Sequence, residues 1–256
     1  MQAKKRFGQN FLTDKKLLED LVSLINVSSE NKFLEIGPGK GDLTENIINF
    51  CDSYFGVEVD KDLLSFLRNK FPENKEVFID GDILKLDPSE IYSEDKFRVV
   101  GNVPYNISSP ILDWCETHYK KIQDMHFMLQ KEFALRCAGN ENTSSYGRLS
   151  IICNYLYEIT ILKEVSKEFF NPIPKVDSLF VRFSPKKTKV DQKELKNLKL
   201  VTRALFNKKR KKISNSLEDI LQKESLDKLD LDLNLRPDEL SLNEYLQISS
   251  LVKDNG

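Results

Sequence analysis

The chain has 256 residues, 40% hydrophobic and 31% charged, with 39 Lys and Arg against 40 Asp and Glu for a net charge of −1. That composition is of a soluble globular protein with one large or two modest cores, and it excludes a collagenous, low-complexity or disulfide-framework chain. No stretch reaches the ~18 uncharged apolar residues of a membrane helix, the N-terminus lacks the apolar run of an export signal, and Cys51, Cys115, Cys137 and Cys153 form no CxxC pair, so a cytoplasmic protein with free thiols and no metal is expected.

Lys4, Lys5 and Arg6 open the chain with a basic cluster. Leu17, Leu18, Leu21, Leu24 and Ile25 then recur at helical spacing behind a Thr13 or Asp14 cap. Short apolar runs follow: KFLEIG, YFGVEVD, EVFIDGD, FRVVGN, DMHFMLQ and, near the end, SLFVRFSP, most of them separated by helical stretches such as GDLTENIINF and KDLLSFLRNKF. Strand and helix alternating over this length imply an α/β fold, a parallel, doubly wound sheet with helices on both faces. Pro185 begins a polar, lysine-rich linker, and beyond it Leu195, Leu198, Val201 and Leu205 mark a helix with no strand after it. The expected domains are 1–184, carrying the sheet, and 185–256, small and all-α.

The first strand runs into a glycine turn and a helix start, FLEIGPGKGDLT, with Glu35, Gly37, Gly39 and Gly41 in an E-x-G-x-G-x-G pattern. Glycine lets backbone approach a ligand without a Cβ in the way. In a dinucleotide fold the third glycine falls three positions after the second; here it falls two after. Glu58, 19 residues beyond Gly39 at the next strand end, stands where a carboxylate grips ribose hydroxyls. Asp82, ending the third strand, is placed to accept from an exocyclic amine. Strand-end acids are often only solvated, but their order and spacing around one crevice favour an adenosine derivative, and S-adenosylmethionine over NAD.

The fourth strand ends in Asn102, Val103, Pro104 and Tyr105. An amine conjugated to adenine is a poor nucleophile because its lone pair is delocalised. Acceptors on its N–H groups, here the Asn102 side-chain oxygen and the Val103 carbonyl held by stiff Pro104, bring it toward sp3 character, and alignment with a methyl sulfonium does most of the rest. Tyr105 is expected to stack on a flipped-out base and Phe170, before Pro172 and Pro174, to clamp its other face, roughly 1 to 3 kcal/mol per stack. The plain alternatives are a loop start at Pro104 and core packing for both rings. No strong base is needed, which suits a chain whose imidazoles are His118 and His126 alone.

Further on, Lys208, Lys209, Arg210, Lys211 and Lys212 form a second basic run, either a solvated helix face or a phosphate-binding patch. Net charge alone argues against nucleic acid; local concentration argues for it.

KKRFGQNFL, EIGPGKGDLT, VEVD, GDIL, GNVPYNISSPIL, MLQKEFALR, YGRLSI and FNPIPKVDS resemble, in order, the blocks of the ribosomal RNA adenine N6-dimethyltransferases, over nearly the whole chain. FNKKRKKISNSL and LRPDELSLNEYLQIS look like the small-subunit (KsgA-type) branch rather than the large-subunit Erm type. The resemblance implies a Rossmann-like class I S-adenosylmethionine-dependent methyltransferase sheet with a helical, rRNA-binding C-terminal domain. It implies a monomer that methylates N6 of two adjacent adenosines in the 3′-terminal hairpin of 16S rRNA within the 30S particle. S-adenosylmethionine would be held by Asn10, Leu12, Gly37, Glu58, Asp82 and Asn102, with Ile83 beside its adenine and no metal. The rRNA would be held by Lys4, Lys5, Arg6, Arg148 and the cluster from Lys208 to Lys212. Val103 stands where the family carries Leu or Ile, which leaves the backbone carbonyl in place. The rivals are an Erm-type enzyme acting on 23S rRNA and an assembly factor whose main role is binding.

Overall fold

The computed structural model describes residues 4, 7–93, 95–187, 190–222, 226 and 229–252. After a short strand β1 (Phe11–Leu12), helix α1 (Lys15–Ile25) starts where Asp14 accepts a hydrogen bond from the Leu17 N–H at 2.7 Å, and it buries Leu17, Leu18, Leu21 and Ile25. The sheet then builds from β2 (Lys32–Ile36), β3 (Ser53–Glu58), β4 (Phe78–Asp80) and β5 (Phe97–Asn102), with α2 (Lys61–Lys70) between β3 and β4 and α3 (Ser108–Thr117) after β5. The chain continues through β6 (Ile122–Gln130), α4 (Lys131–Cys137), α5 (Arg148–Leu156), β7 (Tyr157–Val165), β8 (Phe170–Asn171) and β9 (Ser178–Pro185). Helices α6 (Gln192–Asn207), α7 (Ser214–Leu217) and α8 (Leu242–Ser250) follow among the described residues.

Seven strands lie in the order β4-β3-β2-β5-β6-β9-β7, while β1 pairs with β8 alone. All pairs from β4 to β6 are parallel, and β9 runs antiparallel to β6. The wholly parallel sheet expected from strand–helix alternation is therefore a mixed one. The chain enters β9 from a proline-bearing turn instead of the helical crossover that a parallel neighbour requires. The central strands read as continuous apolar runs because both their faces are covered: Phe33, Leu34, Phe97, Val99, Val100 and Phe127 are fully buried. Arg98 interrupts that run without an unpaired charge. Its guanidinium grips Asp124 through two bonds of 2.8 and 3.0 Å and donates to the carbonyls of Ile25 and Asn26, closing the end of α1.

GDLTENIINF, expected as a helix, contains a tight 3-10 turn at Thr44–Asn46 instead. Buried Thr44 is held sideways by Glu35, and i→i+3 bonds such as Ile47 N–H to the Thr44 carbonyl at 3.0 Å tighten the backbone.

The chain divides into two compact units, Met1–Lys131 with Thr160–Pro185, and Glu132–Ile159 with Lys186–Gly256. The second unit thus begins again right after Pro185, next to the boundary expected from composition, and it also takes in Glu132–Ile159. Its core explains the membership: Ile151 of α5 packs with Leu198, Val201 and Leu205 of α6 and with Tyr245 and Ile248 of α8. Ser241 caps α8 in a reciprocal pair with Glu244.

Candidate functional site

The carboxyl ends of β2, β3, β4 and β5 meet at one edge of the first unit. From β2 the chain adds β3 and β4 on one side and then crosses to β5 on the other, so strand order reverses between β2 and β5. Ligands in open α/β sheets sit in the crevice at such a reversal. A cavity of about 270 Å³ opens there, lined among others by Gly37, Glu58, Asp82, Ile83 and Asn102.

The glycine turn leaves β2 in left-handed backbone, with φ of +61° at Gly37 and +63° at Gly39. A Cβ on Gly37 would meet nothing within 4 Å, so the turn presents bare backbone to open space. Glu58 fixes it: the Gly39 N–H donates to Glu58 Oε2 at 3.1 Å and the Asp60 N–H to Oε1 at 2.9 Å. Burial nevertheless holds the Glu58 carboxyl above its ordinary pKa, since only 4% of the residue is exposed. The carboxylate therefore ties the turn to β3 as well as facing the cavity. Glu35, beneath the turn, accepts from Thr44 at 2.8 Å and from Tyr54, and burial pushes its pKa up to about 7. Asp82 caps the next turn by accepting from the Leu84 N–H at 3.1 Å, which sets Ile83 against the cavity.

At the end of β5, Asn102 Nδ2 donates to the Asn10 carbonyl at 2.7 Å. That bond decides the amide's orientation and leaves Oδ1 an acceptor with no partner among the described residues. Val103 is buried, Pro104 holds φ at −57°, and Tyr105 begins a tight turn into α3. The Tyr105 hydroxyl meets Ser178 Oγ of β9 at 2.7 Å, and burial raises its pKa. A strap from Phe7 to Leu12, including Asn10, also lines the cavity. It is anchored by the β1–β8 pairing and by Lys4, whose ammonium lies 2.6 Å from both Asp60 and Asp62.

Eleven candidates thus line one cavity: Asn10, Leu12, Gly37, Glu58, Asp82, Ile83, Asn102, Val103, Pro104 and Tyr105, with Gly39 of the same turn. Phe170 does not join them. Only 2% of it is exposed, in a cluster with Leu17, Leu21 and Phe180, so the second ring expected to clamp a base is a core residue in this structure. Its backbone pairs with Leu12 across β1–β8, while its ring packs into the core and does not line the cavity. Leu18, Met128 and Phe180 also line the cavity, and nothing in their spacing marks them, because contributions from α1, β6 and β9 depend on tertiary packing; Asp42, directly after the glycine turn, lines it too. The Ser178 partner of Tyr105 was equally silent in the sequence.

The basic candidates divide. Lys4 is committed to its two aspartates, which raise its pKa, and is not a free phosphate ligand; Lys5 and Arg6 lie outside the described residues. In the second unit Arg148 is exposed at the start of α5. Lys208 pairs with Asp219 at 3.0 Å, Lys209 with Asp238 at 3.5 Å, and Lys212 donates to Asn234 at 2.8 Å. Arg210 and Lys211 are exposed and make no ion pair among the described residues. Neither His118 nor His126 lines the cavity. Among the described residues no group of three or more His, Cys, Asp or Glu is arranged to hold a metal, and no helix is long and apolar enough to cross a membrane.

The cavity, the bare backbone at Gly37 and the acceptors at successive strand ends fit an adenosine-bearing methyl donor. A family model described as ribosomal RNA adenine dimethylase matches residues 1–254. A relative from Marinobacter nauticus, ribosomal RNA small subunit methyltransferase A, is 42% identical over 257 residues, covering 100% of this chain and 93% of that protein. One of the same description from Coxiella burnetii is 37% identical over 254 residues, covering 98% of each. Among solved structures, a dimethyladenosine transferase from Plasmodium falciparum superposes with a TM-score of 0.75 at 24% identity, covering 93% of this chain and 95% of that one. The 23S rRNA methyltransferase ErmE gives 0.72 at 24%, covering 95% and 99%. At that identity these two structures speak to the fold, a class I methyltransferase sheet with a helical C-terminal region.

Proposed function

The chain belongs to the ribosomal RNA adenine dimethylase family, S-adenosylmethionine-dependent rRNA adenine dimethyltransferases, and from that premise we propose that it methylates N6 of two adjacent adenosines in the 3′-terminal hairpin of 16S rRNA, within the 30S particle or its precursor, in the cytoplasm and as a monomer. The observation that carries the chemistry is the Asn102 amide, turned by the Asn10 carbonyl so that Oδ1 remains to accept. The choice of small-subunit rRNA rests on the full-length similarity to proteins described as acting there.

When bound, S-adenosylmethionine supplies a methyl group on a sulfonium centre. Asn102 Oδ1 and the Val103 carbonyl accept the two N–H groups of adenine N6, which draws the nitrogen toward tetrahedral geometry and aims its lone pair. Pro104 keeps the two acceptors in register, and the Tyr105 ring, steadied through Ser178, stacks on the extruded base. The methylated amine sheds its proton to water without a side-chain base, in keeping with two histidines that lie away from the cavity. A monomethylated base still offers one N–H, so one of the two acceptors serves the second transfer.

Incubation with tritiated cofactor and either undermethylated 30S or 50S particles, followed by mapping of N6-dimethyladenosine, tests the proposal. Label in the 3′-terminal hairpin of 16S rRNA is expected. Label confined to 23S rRNA would replace this reading with an Erm-type one, and an Asn102 variant inert in transfer yet fully active in subunit assembly would favour a binding factor.

A further inference from the structure

The turn between β8 and β9 carries an apolar surface that the cavity does not use. Ile173 is 64% exposed and Val176 42%, with Phe169 at 38% just before them. Single exposed apolar residues are ordinary, but three within eight residues, two on one turn and one just before it, beside a cavity are not.

Both ends of the turn are fastened to the cavity wall. Asn171 pairs with Phe11, which lines the cavity, and Ser178 holds the hydroxyl of Tyr105, which also lines it. Ile173 lies two residues from the first anchor and Val176 two from the second, so neither Cα can stand more than about 7 Å from its anchor. The turn is closed across its base, where Asp177 accepts from the backbone N–H groups of Lys131 at 3.0 Å and Lys167 at 2.9 Å. A proline on either side of Ile173 stiffens it further. Between Lys167 and Asp177 the charges cancel: Lys167 and Lys175 against Glu168 and Asp177. A neutral, apolar, rigid turn is poorly suited to clamp phosphates and well suited to contact bases.

A base drawn into the cavity leaves its neighbours without a stacking partner, and proteins that extrude bases offer them apolar side chains. We infer that the turn around Ile173 and Val176 is the platform for the nucleotide flanking the extruded adenosine, so that one base sits in the cavity while the next rests on the rim. This rests on the function proposed above, under which that neighbour is the second target.

The test compares wild type, Ile173→Ser with Val176→Ser, and Ile173→Leu with Val176→Leu on undermethylated 30S particles. The serine variant is expected to raise KM for 30S about tenfold, within the range of one lost base contact. Its cofactor Kd, melting temperature and the salt dependence of its 30S affinity should match wild type, and the leucine variant should restore KM. An unchanged KM in the serine variant overturns the inference, as does a KM increase accompanied by weakened cofactor binding. Ile173→p-benzoylphenylalanine supplies the contact directly: photocrosslinking to the 3′-terminal hairpin is expected, and crosslinking only to ribosomal proteins overturns the platform. Failure of wild type itself to label 30S would count against the proposed function, a result separate from any of these.

Discussion

Asn102 works with both ends of its amide, and the two ends separate under mutation. Alanine at this position removes the acceptor proposed for the target amine, and a preorganised polar group of this kind is worth roughly 10²–10³ in kcat. Asn102→Ala should therefore abolish most transfer from tritiated cofactor while calorimetry shows cofactor affinity within a few-fold of wild type; near-normal transfer would remove Asn102 from the chemistry. Tyr105 and Phe170 divide in the same manner. Tyr105 is half-buried on the cavity wall, so Tyr105→Ala should weaken capture of the target base with little effect on stability, whereas Tyr105→Phe keeps the ring and loses only the bond to Ser178. Phe170 is a core residue, and Phe170→Ala should destabilise the fold by about 3–5 kcal/mol in urea titrations. A Phe170→Ala protein of wild-type stability that binds 30S weakly would restore the ring to the base-clamping role.

The elements explain why some of this was readable from the sequence and some was not. The strands β2, β3 and β5 announce themselves as apolar runs because they are largely buried, and Gly37 after β2, Glu58 and Asn102 closing β3 and β5, and Asp82 after β4 stand out at the strand ends, so these cavity-lining positions are legible from local sequence. The strand β7, partly exposed along its length, shows no such run. Tyr105 with Ser178, and Asn102 with Asn10, are 73 and 92 residues apart and leave no mark on local spacing. The run from Lys208 to Lys212 reads as one cationic block, yet Asp219, Asp238 and Asn234 occupy three of its five side chains. Arg210 and Lys211, exposed and without an ion pair among the described residues, are the pair expected to meet phosphate. Reversing both to Glu should lower the slope of log affinity for 30S against log salt by roughly 0.7–0.9 per lost phosphate contact. An unaltered slope would take the turn after α6 out of the rRNA interface.

For the molecule as a whole, near-zero net charge hides two buried groups that titrate against each other. Glu35 is pushed up from 4.5 to about 7 by burial, so between those values the folded chain keeps a proton that the unfolded chain has released, and its contribution to stability falls as pH rises. His126, buried and lowered from 6.5 to about 4, is protonated first in the unfolded chain, so its contribution falls as pH drops. Each effect is on the order of 3 kcal/mol, and they oppose one another from about pH 4.5 to 6.5. Glu35→Gln removes one side of that balance: denaturant titrations should show the variant gaining stability over wild type as pH rises from 5 to 8. An offset that does not change with pH would sink the assignment. The strap from Phe7 to Leu12 carries a kinetic consequence. Because the Asn10 carbonyl orients the Asn102 amide, the acceptor geometry proposed for the target amine depends on the strap staying in place. Catalysis should then follow a compulsory order, with the donor entering beneath the strap first and adenosine second. Product inhibition by S-adenosylhomocysteine, competitive against the donor and noncompetitive against 30S, is the signature of that order.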